Sequence, residues 1–252
     1  MKTSRSFLWL AVWTVAAVAA MPIFSGTIVG SKHDLTHVIP AFFIHSSTMN
    51  NYGEVCVYCH APHGATTAID APLWNHRTPS QPYTLYSSST LDSIPGQPGG
   101  YSLACLSCHD GTIGVDEIIN APGSGDNLGG PWYGNSAVAV HWKMNPDPFS
   151  GATCAMCHDG STGHYALMGY LGTDLRNDHP IGMTYPTPAQ DPDFSAPDNP
   201  QSGWGGASSH DVKLYGGKIE CPSCHNVHDP DTIPFLRKSN QNSALCTTCH
   251  IK

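Results

Sequence analysis

The sequence predicts a chain of mostly irregular coil with short helices, and three observations carry that prediction. It holds 25 Gly and 21 Pro among 252 residues, which leaves few uninterrupted stretches for helix or strand. Only 12% of its residues are charged, where an ordinary globular domain has about 25%. The third observation is a repeat: "CVYCH" at 56–60, "CLSCH" at 105–109, "CAMCH" at 154–158, "CPSCH" at 221–225 and "CTTCH" at 246–250. These five copies, motifs I to V, use all ten cysteines, and a short helix is expected at each with loops between.

Chance does not explain the repeat. Histidine supplies 15 of 252 residues, so five CxxC pairs would all be followed by His with odds of roughly one in a million. Disulfides give no reason for the histidine, and zinc sites gather two CxxC or CxxC/HxxxH pairs into one tetrahedron, which five identical units do not partition into. The chemistry that needs this residue set is c-type haem: two thiols add to the porphyrin vinyl groups and the next histidine takes an axial position on iron. The covalent positions are then Cys56, Cys59, Cys105, Cys108, Cys154, Cys157, Cys221, Cys224, Cys246 and Cys249. The proximal ligands are His60, His109, His158, His225 and His250. Five haem c groups would fill a haem-packed core that the chain need only wrap.

The N-terminal segment reads as an export signal over 1–25. Lys2 and Arg5 precede an uncharged apolar run from Phe7 to Ala20, small residues follow, and cleavage is expected within about 19–26. An uncleaved anchor is the alternative, because the apolar stretch extends to Phe24 and approaches the roughly 18 residues of a marginal membrane helix. Pro22 and the small residues favour cleavage, leaving a mature domain of 26–252 with no membrane span. Loss of Lys2 and Arg5 takes the formal net charge from −8 to about −10, and haem propionates would add to it. Without a basic stripe, nucleic acid is not an expected partner.

Three Pro/Gly-rich stretches, 95–100, 121–131 and 191–206, read as exposed loops. Motifs II and III share a CxxCHDG ending, in which Asp110–Gly111 and Asp159–Gly160 are expected to turn the chain sharply. Motifs I and IV carry a second histidine three residues behind the first, His63 after His60 and His228 after His225. A ligand so close in sequence cannot easily reach the opposite face of the same iron. It can reach a neighbouring one, which requires macrocycles nearly in contact.

Ten histidines remain beyond the proximal five, twice what six-coordinate iron needs. Methionine, the usual competitor that raises the potential, occurs seven times with no repeated placement relative to the motifs. Five bis-histidine haems would form a low-potential chain.

"GSKHDL", "CVYCHAPHGA", "PLWNHR", "YSLACLSCHDGTIGVDEIINAPGSG", "LGTDLRNDHPIGMTY", "KLYGGKIECPSCHNVHD" and "FLRKSNQNSALCTTCHIK" together resemble the doubled-CxxCH multihaem cytochromes c of metal-reducing and sediment bacteria. That family includes or lies close to secreted cytochromes that polymerise into conductive filaments. The resemblance runs from about residue 27 to the end. It implies His33, His63, His179 and His228 as distal ligands. Motif III sits in what reads as an insertion, so its distal ligand is expected locally: His141 first, His164 as the alternative, with His210, His45 and His76 behind them. The resemblance also implies an exported protein, extracellular or at the cell surface, assembling head to tail with itself as a conductive filament (nanowire). His33 would ligate a neighbouring subunit's haem, and redox proteins or extracellular acceptors would be its partners.

Electron transfer without substrate turnover is the expected function, and no catalytic residue is assigned. The alternatives are a soluble periplasmic pentahaem carrier and a multihaem oxyanion reductase of the nitrite type. Such a reductase would need an open iron site with nearby proton donors, and every motif here ends in His.

Overall fold

The computed structural model describes residues 26–36, 52–91, 93, 95–115, 117–121, 125–127, 144, 169–206 and 210–251. The leader at 1–25, all of motif III, and His45, His141 and His164 lie outside them.

Regular structure is sparse, as the composition predicts. The longest element is helix α1, Gly100–His109. Two antiparallel pairs follow: β1, Ile118–Ala121, with β2, Gly125–Asn127, and β3, Met183–Thr184, with β4, Lys218–Ile219. One-turn helices α2, Cys221–Cys224, and α3, Cys246–Cys249, complete the set, with a 3-10 turn at Gln241–Ser243 before α3. The rest of the described chain is coil, turn and isolated bridge.

Among the described residues, α-helix occurs only at CxxCH segments, for a local reason. In each of motifs I, IV and V the histidine amide donates to the carbonyl of the first cysteine, His60 to Cys56 at 2.8 Å, His225 to Cys221 at 3.3 Å and His250 to Cys246 at 3.0 Å. One such five-residue closure is a single α-turn, which puts residues three apart on one face. Both thiols therefore point the same way. Among the described motifs, motif II alone extends the turn backwards, into the ten-residue helix α1.

Motif II stops where its Asp-Gly ending predicts. Asp110 is the C-cap of α1 and Gly111 follows at φ +73, where a side chain would also collide with the Met144 carbonyl and the Tyr170 ring. Asp110 is itself buried and accepts from Tyr83 Oη at 2.6 Å, Gln81 Nε2 at 2.7 Å and the Thr112 amide at 2.7 Å. Those bonds tie the helix end to the 81–83 segment.

Two of the three stretches read as exposed loops are more than surface. The 95–100 stretch buries Pro98 and delivers Gly99 as the N-cap of α1, and Gln97 exchanges hydrogen bonds with the Tyr83 backbone at 2.9 and 3.0 Å. In 191–206, Phe194 and Trp204 pack against a buried cluster of Met183, Tyr185, Leu214 and Ile219. The aromatic rings anchor what its Pro, Asp and Gly content marks as loop. The 121–131 stretch contributes Gly125–Asn127 to the first antiparallel pair.

Apolar packing is thin. Besides the Tyr185 cluster, the described residues form one other small core of Tyr83, Leu106 and Leu175. Leu106, at 0% exposure, is the α1 side chain that core depends on. Leu106→Ala should cost about 2–5 kcal/mol, read as a lower denaturant midpoint, with the number of attached haems unchanged.

Candidate haem-binding sites

Three of the four described motifs, I, IV and V, are pinned after the turn by the same two-bond clasp. In motif I the Ala61 amide donates to Leu73 O at 3.0 Å and the Asn75 amide to Cys59 O at 2.9 Å. In motif IV the Asn226 amide donates to Phe235 O at 2.7 Å and the Arg237 amide to Cys224 O at 2.8 Å. In motif V the Ile251 amide donates to Asp193 O at 2.8 Å and the Ser195 amide to Cys249 O at 2.8 Å. The histidine between the two bonds is thereby held extended, with His225 at φ −108, ψ 146 and His250 at φ −93, ψ 129.

The clasp also sets the ring. His60 Nδ1 lies 2.8 Å from Pro72 O and His225 Nδ1 lies 3.0 Å from Pro234 O, each carbonyl one residue before the clasping strand. In motif II, His109 Nδ1 meets Gly169 O at 2.5 Å. A carbonyl can only accept, so Nδ1 carries the proton and Nε2 keeps its lone pair for a metal. Leu73 and Phe235, the residues after those prolines, both have positive φ, 53 and 61, and that turn aims the proline carbonyl at the ring. The sequence assigned these carbonyls no role. Their shared signal is a proline and an apolar residue some ten residues behind the motif, "PLWN" and "PFLR".

Opposite three of the four described proximal histidines stands a second imidazole. His33 faces His109 with ring centroids 6.0 Å apart, His228 faces His60 at 6.1 Å, and His179 faces His250 at 6.4 Å. An imidazole nitrogen about 2 Å from a metal puts its ring centroid about 3 Å away, so two rings on opposite sides of one iron are separated by roughly 6 Å. The residues therefore fit haem, with one motif histidine and one distant histidine at each of the three sites. His33 Nδ1 is sealed from solvent with no hydrogen-bond partner among the described residues. Burial, with His109, His225 and His228 nearby, lowers the His33 pKa to about 4; burial likewise lowers His109 and His228. Neutral imidazole is the form that binds iron.

His63 and His225 are exposed, and neither makes such a ring contact among the described residues. His76 is fully buried with its ring nitrogens at 3.0 Å from Arg77 O and 2.8 Å from Gly114 O, and His210 pairs with Asp229 at 2.9 Å. Both are engaged in protein contacts.

The arm carrying His33, expected to reach a neighbouring subunit's haem, folds back on its own chain. Gly30 N donates to Asp34 at 2.8 Å, closing a turn, and the His33 ring meets Phe235 edge-on at 4.5 Å. Local turn bonds and one aromatic contact hold it where apolar periodicity is lacking.

None of the eight described cysteines forms a disulfide. Burial pushes Cys59 up to about 12, with Cys108 and Cys56 adding to it; burial likewise takes Cys224 to about 11 and Cys249 to about 12. Cys221 runs the other way, its thiol lowered chiefly by the hydrogen bond with Cys105. Among the described residues, no three His, Cys, Asp or Glu groups converge to hold a metal ion. The motifs are also neighbours in space. Cys105 and Cys221 share a thiol hydrogen bond that, with burial, raises Cys105, while Cys59 feels Cys108, and Cys224 feels Cys246. Motifs I, II, IV and V follow one another in that order.

The family model described as the doubled CXXCH motif matches residues 215–252, which hold motifs IV and V. No curated protein matches the chain. That match supports a multihaem c-type cytochrome, and the CxxCH motifs indicate covalently bound haem c. No helix among the described residues is long and apolar enough to cross a membrane.

The pairing across motifs makes a specific expectation. His228→Ala should convert one low-spin haem to high-spin in the electron paramagnetic resonance spectrum, with covalent haem content unchanged. In a Cys56→Ala/Cys59→Ala background, which lacks the haem of motif I, the same substitution should add no new high-spin signal. New signal in that background would place His228 on a different iron.

Proposed function

We propose that the chain is a five-haem electron-transfer protein whose irons are all ligated by two histidines, working without substrate turnover. The three imidazole pairs at 6.0–6.4 Å are the observation that carries this reading, because an enzyme of the oxyanion-reductase kind needs a vacant axial position. His63 with His225 completes the fourth described site: those two rings remain after the other assignments, and the offset mirrors that of His228 with His60. Motif III, with His158 proximal and His141 or His164 distal, makes the fifth.

Haem iron supplies a one-electron exchange between Fe(III) and Fe(II) when bound. The chain's part is to hold two neutral imidazoles in line at each iron, to aim Nε2 through the carbonyl bond at Nδ1, and to bring attachment sites together. The order I, II, IV, V supports a continuous path from one end of the described array to the other.

The same reading extends to an exported protein that polymerises head to tail outside the cell, delivering electrons to redox proteins or extracellular acceptors. Because His33 meets His109 within one chain, a polymer joined through His33 must exchange the 26–36 arm between neighbours so that the same pair forms across the interface. A soluble periplasmic carrier keeps the pair within the chain.

Pyridine haemochrome quantitation of purified protein should give five haems per chain, and the reduced protein should not bind carbon monoxide. Zero haem with bound zinc would end this reading, and carbon monoxide binding would favour the reductase. Electron microscopy of secreted material should show thin unbranched fibres that His33→Ala abolishes. Monomers at high concentration with every iron low-spin would select the periplasmic carrier.

A further inference from the structure

The Glu220 carboxylate has no part in the sites described so far, although its side chain is only 3% exposed. It is the N-cap of α2, where it takes the Ser223 amide while Ser223 Oγ accepts from the Glu220 amide at 2.9 Å. It also crosses to α1. Oε2 accepts from the Gly99 amide at 3.2 Å and from Ser102 Oγ, and Ser102 Oγ in turn accepts from the Cys221 amide at 2.9 Å. Gly99 is the N-cap of α1 and has no side chain to do this itself; a Cβ there would run into the carboxylate. One carboxylate therefore caps two helices from different halves of the sequence, at the ends where their dipoles favour negative charge.

Both helices are haem attachment segments. Ser102 lies one turn ahead of Cys105 in motif II, and Glu220 immediately precedes Cys221 in motif IV. The ion pairs among the described residues leave Glu220 without a cation, so its charge is satisfied by N–H and O–H donors alone. A buried negative charge with no cation beside it is weakly screened, and it stabilises the more positive oxidation state of a nearby iron.

We propose that Glu220 is a positioning residue that fixes the contact between the attachment sites of motifs II and IV, and that its charge lowers the reduction potentials of the two haems held there. This rests on the electron-transfer reading above. Ser102 is the bridging half of the device and Glu220 the charged half.

The two roles separate by substitution. Glu220→Gln keeps the side-chain size and an acceptor oxygen but removes the charge. Spectroelectrochemical titration should show two midpoints moved upward and the others in place, with haemochrome still giving five haems. Ser102→Ala keeps the charge and breaks the bridge, and should shrink the exciton couplet of the Soret circular dichroism that reports haem–haem contact. Unchanged potentials in Glu220→Gln together with an unchanged couplet in Ser102→Ala would overturn the proposal. An equal shift of all midpoints would overturn the charge role, since a general change in net charge would produce it. If Glu220→Gln fails to assemble, the Ser102→Ala couplet decides the positioning role. Unmodified protein without haem would overturn the underlying reading instead, before either variant is compared.

Discussion

Imidazole facing imidazole is the interaction on which the rest of this structure depends. In each of the three observed pairs one ring belongs to a CxxCH motif and the other comes from a segment far away in sequence: His33 to His109, His228 to His60, His179 to His250. Each pair therefore closes a long loop, and three closures of this kind determine the path of a chain that has little regular structure to determine it. The described residues add two small apolar clusters, one around Tyr185 and one around Leu106.

Holding a ring in place is done by backbone more than by side chains. The clasps at motifs I, IV and V use amide and carbonyl groups on both sides of the histidine, and Pro72 and Pro234 lend carbonyls to Nδ1. This tolerates sequence change in the clasping residues, which are Leu, Phe and Asp at the equivalent position. Three of the isolated bridges lie at motif histidines, His60 with Trp74, His225 with Leu236 and His250 with Phe194. Lys238 adds a tie between the last two motifs, bonding Asp211 at 2.9 Å and Thr248 Oγ1 at 3.0 Å.

Buried charge is placed with the same economy. Asp110 closes α1 at its C-terminal end and Glu220 caps it at the other, each carboxylate surrounded by donors. Burying a carboxylate is costly unless it is hydrogen-bonded, and both meet that condition with bonds that also join separate segments. The same bonds that offset desolvation thus carry tertiary structure.

By itself the sequence determined the chemistry of each site. CxxCH states a local geometry, one α-turn with two thiols and a histidine, and local geometry follows from neighbouring residues, so the expected turn is present at motifs I, II, IV and V. The Asp110–Gly111 turn was legible for the same reason, and coil predominates as the glycine and proline content requires. Which histidine meets which was decided only by the tertiary structure. The three-residue offset of His228 excludes its own iron but does not point to His60, because the partner depends on how segments nearly 170 residues apart pack. The spatial order of the motifs, the folding back of His33, the anchoring of 191–206 by Phe194 and Trp204, and the bridge from Glu220 to Ser102 are hidden likewise. Each is a contact between distant segments, and its strength comes from burial and geometry that no local spacing encodes.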